Sequence, residues 1–299
     1  RQALELFMNA TKLDPSFARA YVEIGNCYAQ LGVRSYLSKE ETISGMRSNA
    51  TKALEIDENL AEGHALLSRT AWGVDDFATA ESEARKAIEL NPNQSDAYNE
   101  LAMLMASLGY PKKMVELMET AHLLDPLSSE IIRYLGLMLY LTRRETDALD
   151  LWTRNIAVAP FDVHIAMAVY YFNKNDLQKA EEEVRAVELL ALGDYNALCL
   201  RGYLSALKGD GQGAEKMIEK LENTFKGGAT LDRNIGYIRY FLGDMDAFFE
   251  AMDRGADARV LDPMTLRYFP LFEKARQDPR YLKLLKKVGV DVELKEPLS

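Results

Sequence analysis

The sequence predicts an all-α solenoid of tandem helix-turn-helix repeats, closed by a C-terminal capping helix. Three observations predict it. Pro92, Pro126 and Pro160 stand at intervals of 34 residues, and a fixed period of that size marks a repeat architecture rather than one globular core. Before each proline, residues recur at steps of four and three: Ala80, Ala84, Ala87; Met114, Met118, Ala121; Ala148, Trp152, Asn155. Those steps place them on one face of a helix. Ahead of each such helix lies another periodic stretch, clearest in Tyr98, Leu101, Ala102 and Met105, so every unit reads as a first helix followed by a second.

Taken in order, residues 1–14 carry Ala3, Phe7 and Ala10 on one face and end at Pro15. They read as the second helix of a repeat whose first helix is missing, which suggests part of a longer protein. Residues 18–32 form the best first helix, with Tyr21, Ile24, Gly25, Tyr28, Leu31 and Gly32 at signature positions. Gly25 lets the paired helix approach closely, because it has no side chain. The next ending, Ala53 to Asp57, comes late. Nine extra residues fall between Gly32 and Met46, and Ser38 with Glu41 has the form of a capping box that opens a long helix over 39–56.

From Asn59 the period holds for three repeats, with turns at 74–78, 108–111 and 142–145. After Pro160 it loosens. A second helix over 178–190 arrives two residues early, and helices over 195–208 and 214–225 flank a Gly209-Asp210 turn. A last pair occupies 231–242 and 245–254. Eight second helices and seven first helices result, so residues 1–257 form an array of about seven and a half repeats. In the remaining 258–299, Asp278-Pro279 starts a helix with the apolar stripe Tyr281, Leu282, Leu285 and Val288. This helix covers the exposed face of the last repeat, and the tail beyond Val290 frays.

The small-residue spacing and the Tyr21, Gly25, Tyr28 pattern resemble the tetratricopeptide repeat, with its W-x2-L-G-x2-Y first half. The resemblance implies a right-handed superhelix whose first helices line a concave groove. A finer resemblance rests on Ala53-Leu54-Glu55-Ile56-Asp57, on the run 61–67, on Asp75-Asp76-Phe77 and on Asp125-Pro126-Leu127-Ser128. It continues through Leu271-Phe272, Asp278-Pro279-Arg280-Tyr281 and 284–289. These stretches are similar to the C-terminal repeat arrays attached to class III adenylate/guanylate cyclases and winged-helix transcriptional regulators. That likeness implies a regulatory module, or a sensory half that binds a small ligand or its own output domain. Neither output activity transfers, because these residues hold no cyclase carboxylate pair and no recognition helix.

Composition narrows the function further. With 46 acidic against 36 basic residues and a net charge of −10, the chain repels a phosphate backbone, so nucleic acid is not expected as a partner. The longest apolar runs fall well short of the roughly 20 residues of a membrane span, so no membrane association is expected. Cys27 and Cys199 are too far apart along the array to pair, which fits a reducing, cytoplasmic setting. His64, His122 and His164 lie in different repeats without a second ligand at metal spacing, so neither metal nor cofactor is expected; His64 reads as a packed core histidine. The glycines of 209–213 read as a helix-helix turn rather than a phosphate loop, since no strand precedes them and no Gly-Lys-Ser/Thr ending follows. Glu181, Glu182 and Glu183 read as a solvated face. No nucleophile with an adjacent base emerges, so no enzymatic activity is expected.

The working surface is therefore the groove. On the repeat register its inward positions are Asn26, Arg69, Trp72, Met103, Arg133, Leu137, Tyr140, Phe172, Tyr203, Tyr237 and Tyr240. Aromatic and Arg side chains are common anchors of protein interfaces, and such a groove suits an extended peptide or an amphipathic helix. The expected partner is a protein or peptide segment, including an upstream domain of the same chain, and a homodimer is compatible with the pattern. Some tetratricopeptide co-chaperones clamp a carboxylate-ended peptide with Lys, Asn and Arg. Here Asn26 matches one clamp position, but Val22 stands in place of the lysine, and Glu62 and Leu66 stand where the next repeat should add contacts. That mode is rejected.

Overall fold

A computed structural model describes residues 2–34, 36–225, 228–261 and 263–289. Among these residues every regular element is a helix. The first fifteen alternate as anticipated. The second helices of the repeats are α1 (Gln2–Leu13), α3 (Lys39–Ile56), α5 (Phe77–Leu90), α7 (Pro111–Leu124), α9 (Glu145–Asn155), α11 (Leu177–Leu190), α13 (Gly211–Thr224) and α15 (Met245–Asp257). The first helices are α2 (Ala18–Val33), α4 (Ala61–Trp72), α6 (Ser95–Leu108), α8 (Ser129–Leu141), α10 (Pro160–Asn173), α12 (Tyr195–Leu207) and α14 (Ala229–Phe241). The long α3 begins at the anticipated capping box, in which the Ser38 hydroxyl accepts from the Glu41 amide at 3.1 Å and the Glu41 carboxylate accepts from the Ser38 amide at 2.8 Å.

One backbone device sets the repeat. Asp75, Gly109, Arg143, Asn175, Gly209 and Gly243 all have positive φ, and each immediately precedes the residue before a second helix. At five of these turns the first helix closes in a Schellman motif. The amide of Asp76, Arg144, Asp176, Asp210 or Asp244 donates to the carbonyl five residues back, while the left-handed residue bonds the carbonyl three back. These bonds satisfy carbonyls that the helix end leaves without partners. Four of the same residues then cap the following helix: Asp76, Asp176, Asp210 and Asp244 accept from the amides of Thr79, Lys179, Gly213 and Ala247. One aspartate thus ends a helix with its N–H and begins another with its carboxylate, which holds the turn to a constant length.

The left-handed residues are spaced 34, 34, 32, 34 and 34 apart, so the period does not loosen after Pro160 as expected; it slips once and resumes. At the slip Pro160 is the first residue of α10, where a missing N–H costs nothing, whereas Pro92 and Pro126 stand three residues ahead of α6 and α8; α10 starts three residues sooner than strict repetition of α8 would place it. Gly25 is also explained differently. A Cβ there would collide with Leu66 of α4, so the close neighbour is the next first helix rather than the paired α3.

By contact density the described residues separate into two compact units. One is drawn from Arg1–Met105 and Glu116–Asp125, the other from Ala106–Val115 and Pro126–Ser299. In the first, α2, α3 and α4 pack through Val22, Met46, Ala50, Ala53 and Leu66, and α4, α5 and α6 meet at Ala65, Ala87 and Ala97. In the second, α10 to α14 enclose Val184, Val187, Leu204, Ala214, Leu221 and Ile238.

The C-terminal part holds more structure than anticipated. After α15 come α16 (Pro263–Tyr268), a 3-10 turn (Pro270–Phe272) and α17 (Glu273–Arg276), none of which periodicity signalled, and then α18 (Pro279–Lys287). The last packs on α15. Tyr281, Leu284 and Leu285 are buried, Arg280 pairs with Asp246 at 2.7 Å and lies over the Phe249 ring, and Lys287 pairs with Asp253 and Asp257 at 2.7 Å each. The anticipated fraying of 290–299 lies outside the described residues.

Candidate interaction face

The segment between α15 and α18 does not simply cap the array. Its 3-10 turn lies on the first helices of the second unit. The Leu271 amide donates to Asn173 Oδ1 of α10 at 3.2 Å, and the Leu271 carbonyl accepts from the Tyr240 hydroxyl of α14 at 2.9 Å. The Leu271 side chain adjoins the cluster of Phe172, Leu200 and Leu204. Phe272 sits among the rings of Tyr237, Tyr240, Phe241 and Phe248, with centroids 4.9 to 6.2 Å away. Farther along, Tyr268 and Arg267 donate to the carbonyls of Ala106 and Ser107, near the end of α6.

The eleven residues expected in one groove divide between the two units. Asn26, Arg69, Trp72 and Met103 belong to the first unit, and the other seven belong to the second. Met103, Leu137, Phe172, Tyr237 and Tyr240 are buried, and the remaining six are half-buried. Arg69 is held by Glu100, which is only 5% exposed, with Nε at 2.7 Å from Oε1. Asn26 hydrogen-bonds Glu23, whose carboxyl burial pushes up, with Asp96 and Glu62 adding to the rise. Arg133 pairs with Asp162 at 2.9 Å and stacks over Tyr134. Tyr140 meets Tyr170 edge-on at 5.0 Å. The Tyr203 hydroxyl is bonded to Asn234 Oδ1 at 2.6 Å, and Asn234 Nδ2 donates in turn to Tyr195. Phe172, Tyr203, Tyr237 and Tyr240 thus serve the segment or the core beneath it.

Two readings of polar residues need correction. His64 is not a packed core ring. Its Nδ1 lies 2.6 Å from Glu83 on α5 and its Nε2 lies 3.0 Å from the Glu58 carbonyl; the Nδ1–glutamate contact recurs 100 residues later, where His164 Nδ1 lies 2.6 Å from Glu183. Nor is the glutamate run wholly solvated. Glu181 accepts from Arg185 at 2.8 Å, Arg201 at 2.9 Å and Lys208 at 2.6 Å, which ties α11 to α12 and the turn beyond it. Only Glu182 of the three is exposed. The signal was present as basic residues one helix on, but periodicity does not report which turn meets which.

Burial works against ionisation of Glu181, yet the bonds from Lys208, Arg201 and Arg185 outweigh it and bring the carboxyl down to about 2. A carboxyl depressed in the folded state contributes stability above its ordinary value near 4.5 and loses that contribution as pH falls toward 2. Urea unfolding of wild type and Glu181→Gln is therefore expected to differ most near neutrality and to converge between about pH 4.5 and 2. A gap that stays constant across that range contradicts the assignment.

Among the described residues no cluster of three or more His, Cys, Asp and Glu could hold a metal ion, and no helix is long and apolar enough to cross a membrane. Cys199 is buried, and burial pushes its thiol up to about 12.

Comparison with known proteins agrees with this architecture. A tetratricopeptide-repeat family model matches residues 83–114. Bacteriophage adsorption protein A of Escherichia coli (strain K12) is 23% identical over 237 residues, covering 79% of this chain and 23% of that protein. The chain thus spans less than a quarter of that relative's length. Among solved structures, Pseudomonas aeruginosa pilF superposes with a TM-score of 0.50 at 18% identity, over 78% of this chain and 98% of its own. The Cut9-Hcn1 hetero-tetramer of the APC/C superposes at 0.61 and 14% identity, over 96% and 58%. At such identities the likeness is one of fold.

Proposed function

We propose, on the premise that this chain has a tetratricopeptide-repeat helical fold, that it is a non-enzymatic interaction module. It holds a protein segment on the first-helix face of its repeats and so regulates or assembles a larger protein. One observation carries the reading: in the second unit the chain's own residues 267–272 lie on that face, bonded through main chain and side chains alike. Reactive groups there are put to structural use. The Cys199 thiol is far from its nucleophilic form at neutral pH, and the Tyr203 hydroxyl is engaged by Asn234.

The corresponding face of the first unit, around Trp72 and Asn26, is where an external segment is expected. Peptides selected from a random library on the whole chain should lose at least about tenfold in affinity, roughly 1.4 kcal/mol, on Trp72→Ala. Phe172 is unsuitable for this test, since removing a side chain 3% exposed would disturb the core. Selected peptides indifferent to Trp72→Ala and Asn26→Ala, in chains that remain folded, would sink the assignment.

A second reading is favoured by the resemblance of 53–57, 61–67, 75–77, 125–128, 271–272, 278–281 and 284–289 to the arrays attached to nucleotide cyclases and winged-helix regulators. In it the segment held belongs to an output domain of the same polypeptide. A cytoplasmic location accompanies either reading.

A further inference from the structure

The main chain of Leu271 is gripped on both sides by side chains of the helices beneath it, the amide by Asn173 and the carbonyl by Tyr240. Side chains that read a partner's main chain, with an apolar site for the next residue, are the usual means of holding an extended peptide. The segment also has the form of a removable loop. It leaves from α15, and α18 returns it to α15 through Arg280–Asp246, Lys287–Asp253 and Lys287–Asp257. Both ends of the loop are therefore fastened to one helix, and lifting it off α10 and α14 need not break either fastening.

The loop carries its own staple as well. One nitrogen of Arg276 donates to the carbonyls of Leu266, Arg267 and Phe269 at 3.4, 3.4 and 2.6 Å, so its shape is fixed largely from within. The Ala106 carbonyl that receives Tyr268 also accepts from the Gly109 amide at 3.2 Å and keeps that partner if the segment lifts, and the Ser107 carbonyl that receives Arg267 lies in the last turn of α6, where water can substitute.

We infer that residues 267–272 are an exchangeable, built-in occupant of the α10–α14 face, and that this face receives a partner segment of the same chemistry: an aromatic residue, then Pro-Leu-Phe in a short turn. The inference rests on the interaction-module reading and names the partner class and the regulation of the second unit. Because the occupant is tethered, it competes at an effective concentration of about millimolar order. The wild-type face is therefore largely closed to a free segment of equal intrinsic affinity.

The test uses the full chain and a fluorescent peptide spanning residues 265–276. Wild type should bind it weakly. Leu271→Asp with Phe272→Ala, placed in the chain but not in the peptide, should raise affinity at least about tenfold by removing the tethered competitor. Adding Asn173→Ala and Tyr240→Phe should abolish the gain. A folded double variant that binds no better than wild type overturns the inference, and so does binding that ignores Asn173 and Tyr240. Segment exchange between two copies in place of peptide binding overturns the assignment of the partner.

Should the double variant fail to fold, hydrogen exchange of the wild type decides. Amides of 265–276 exchanging at least about tenfold faster than those of α12 and α14 indicate separate opening; exchange in step with those helices makes the segment part of the core and overturns the inference. Failure here with Trp72-dependent peptide binding intact removes only this inference, whereas loss of Trp72 dependence removes the broader reading.

Discussion

Replacing Trp152 by Ala is expected to lower the unfolding free energy by about 3–5 kcal/mol, the range for a large aromatic lost from a core. Trp152 is fully buried and is the largest side chain that is. It occupies the same position of its helix as Ala84, Met118 and Ile218 do of theirs, and the repeat accommodates the extra volume through Gly136 on α8, where a Cβ would overlap the indole. Gly136→Ala should therefore cost about 1–3 kcal/mol by overpacking. In a Trp152→Met background it should cost clearly less, because the two residues share one space. The indole nitrogen finds no hydrogen-bond partner among the described residues, so Trp152→Phe loses volume but also removes a buried unsatisfied donor that costs about 1–3 kcal/mol. It should be much milder than the Ala change. Urea denaturation of the five variants, the Gly136→Ala/Trp152→Met double included, followed by circular dichroism, measures all of this. Additive costs for Gly136→Ala and Trp152→Met would show that the glycine is not there for the ring.

Arg69→Ala is the second large effect, at about 3–5 kcal/mol. It withdraws the guanidinium from Glu100, a carboxylate 5% exposed. A charge left in that position without its counter-ion retains its desolvation cost and loses the attraction that offset it. Replacing both residues by Leu should be far less damaging, since neither charge then needs solvating. A double-mutant cycle separates the coupling from the loss of packing. The result also bears on function, because the sequence nominates Arg69 as a partner anchor. Stability lost with peptide affinity unchanged would make it a strut between α4 and α6. A neutral Arg69→Ala would contradict the buried pair altogether.

Helices and turns were legible because their causes are local. The capping box at Ser38, the aspartates before α5, α11, α13 and α15, and the small residues of the second helices act within a few residues of chain. The face was legible only as a set of positions. Periodicity assigned Phe172, Tyr237 and Tyr240 correctly to the first helices, but it could not show that another part of the chain covers them. The elements of 263–276 escaped notice because a six-residue helix and a 3-10 turn are too short to display a period. The role of Glu181 escaped for a related reason: Arg201 and Lys208 lie 20 and 27 residues away.

By itself, then, the sequence determined the all-α repeat architecture, its 34-residue period, the eight second and seven first helices, and the capping helix at the end. Each of these follows from hydrogen bonds and apolar steps within one or two helices. Only the tertiary structure decided that Glu181 latches two helices, that Arg69 is committed to Glu100, and that the aromatic face of the second unit holds the chain's own segment. Those outcomes depend on which distant groups meet once the helices pack, and on the desolvation of charges and rings that takes place only there.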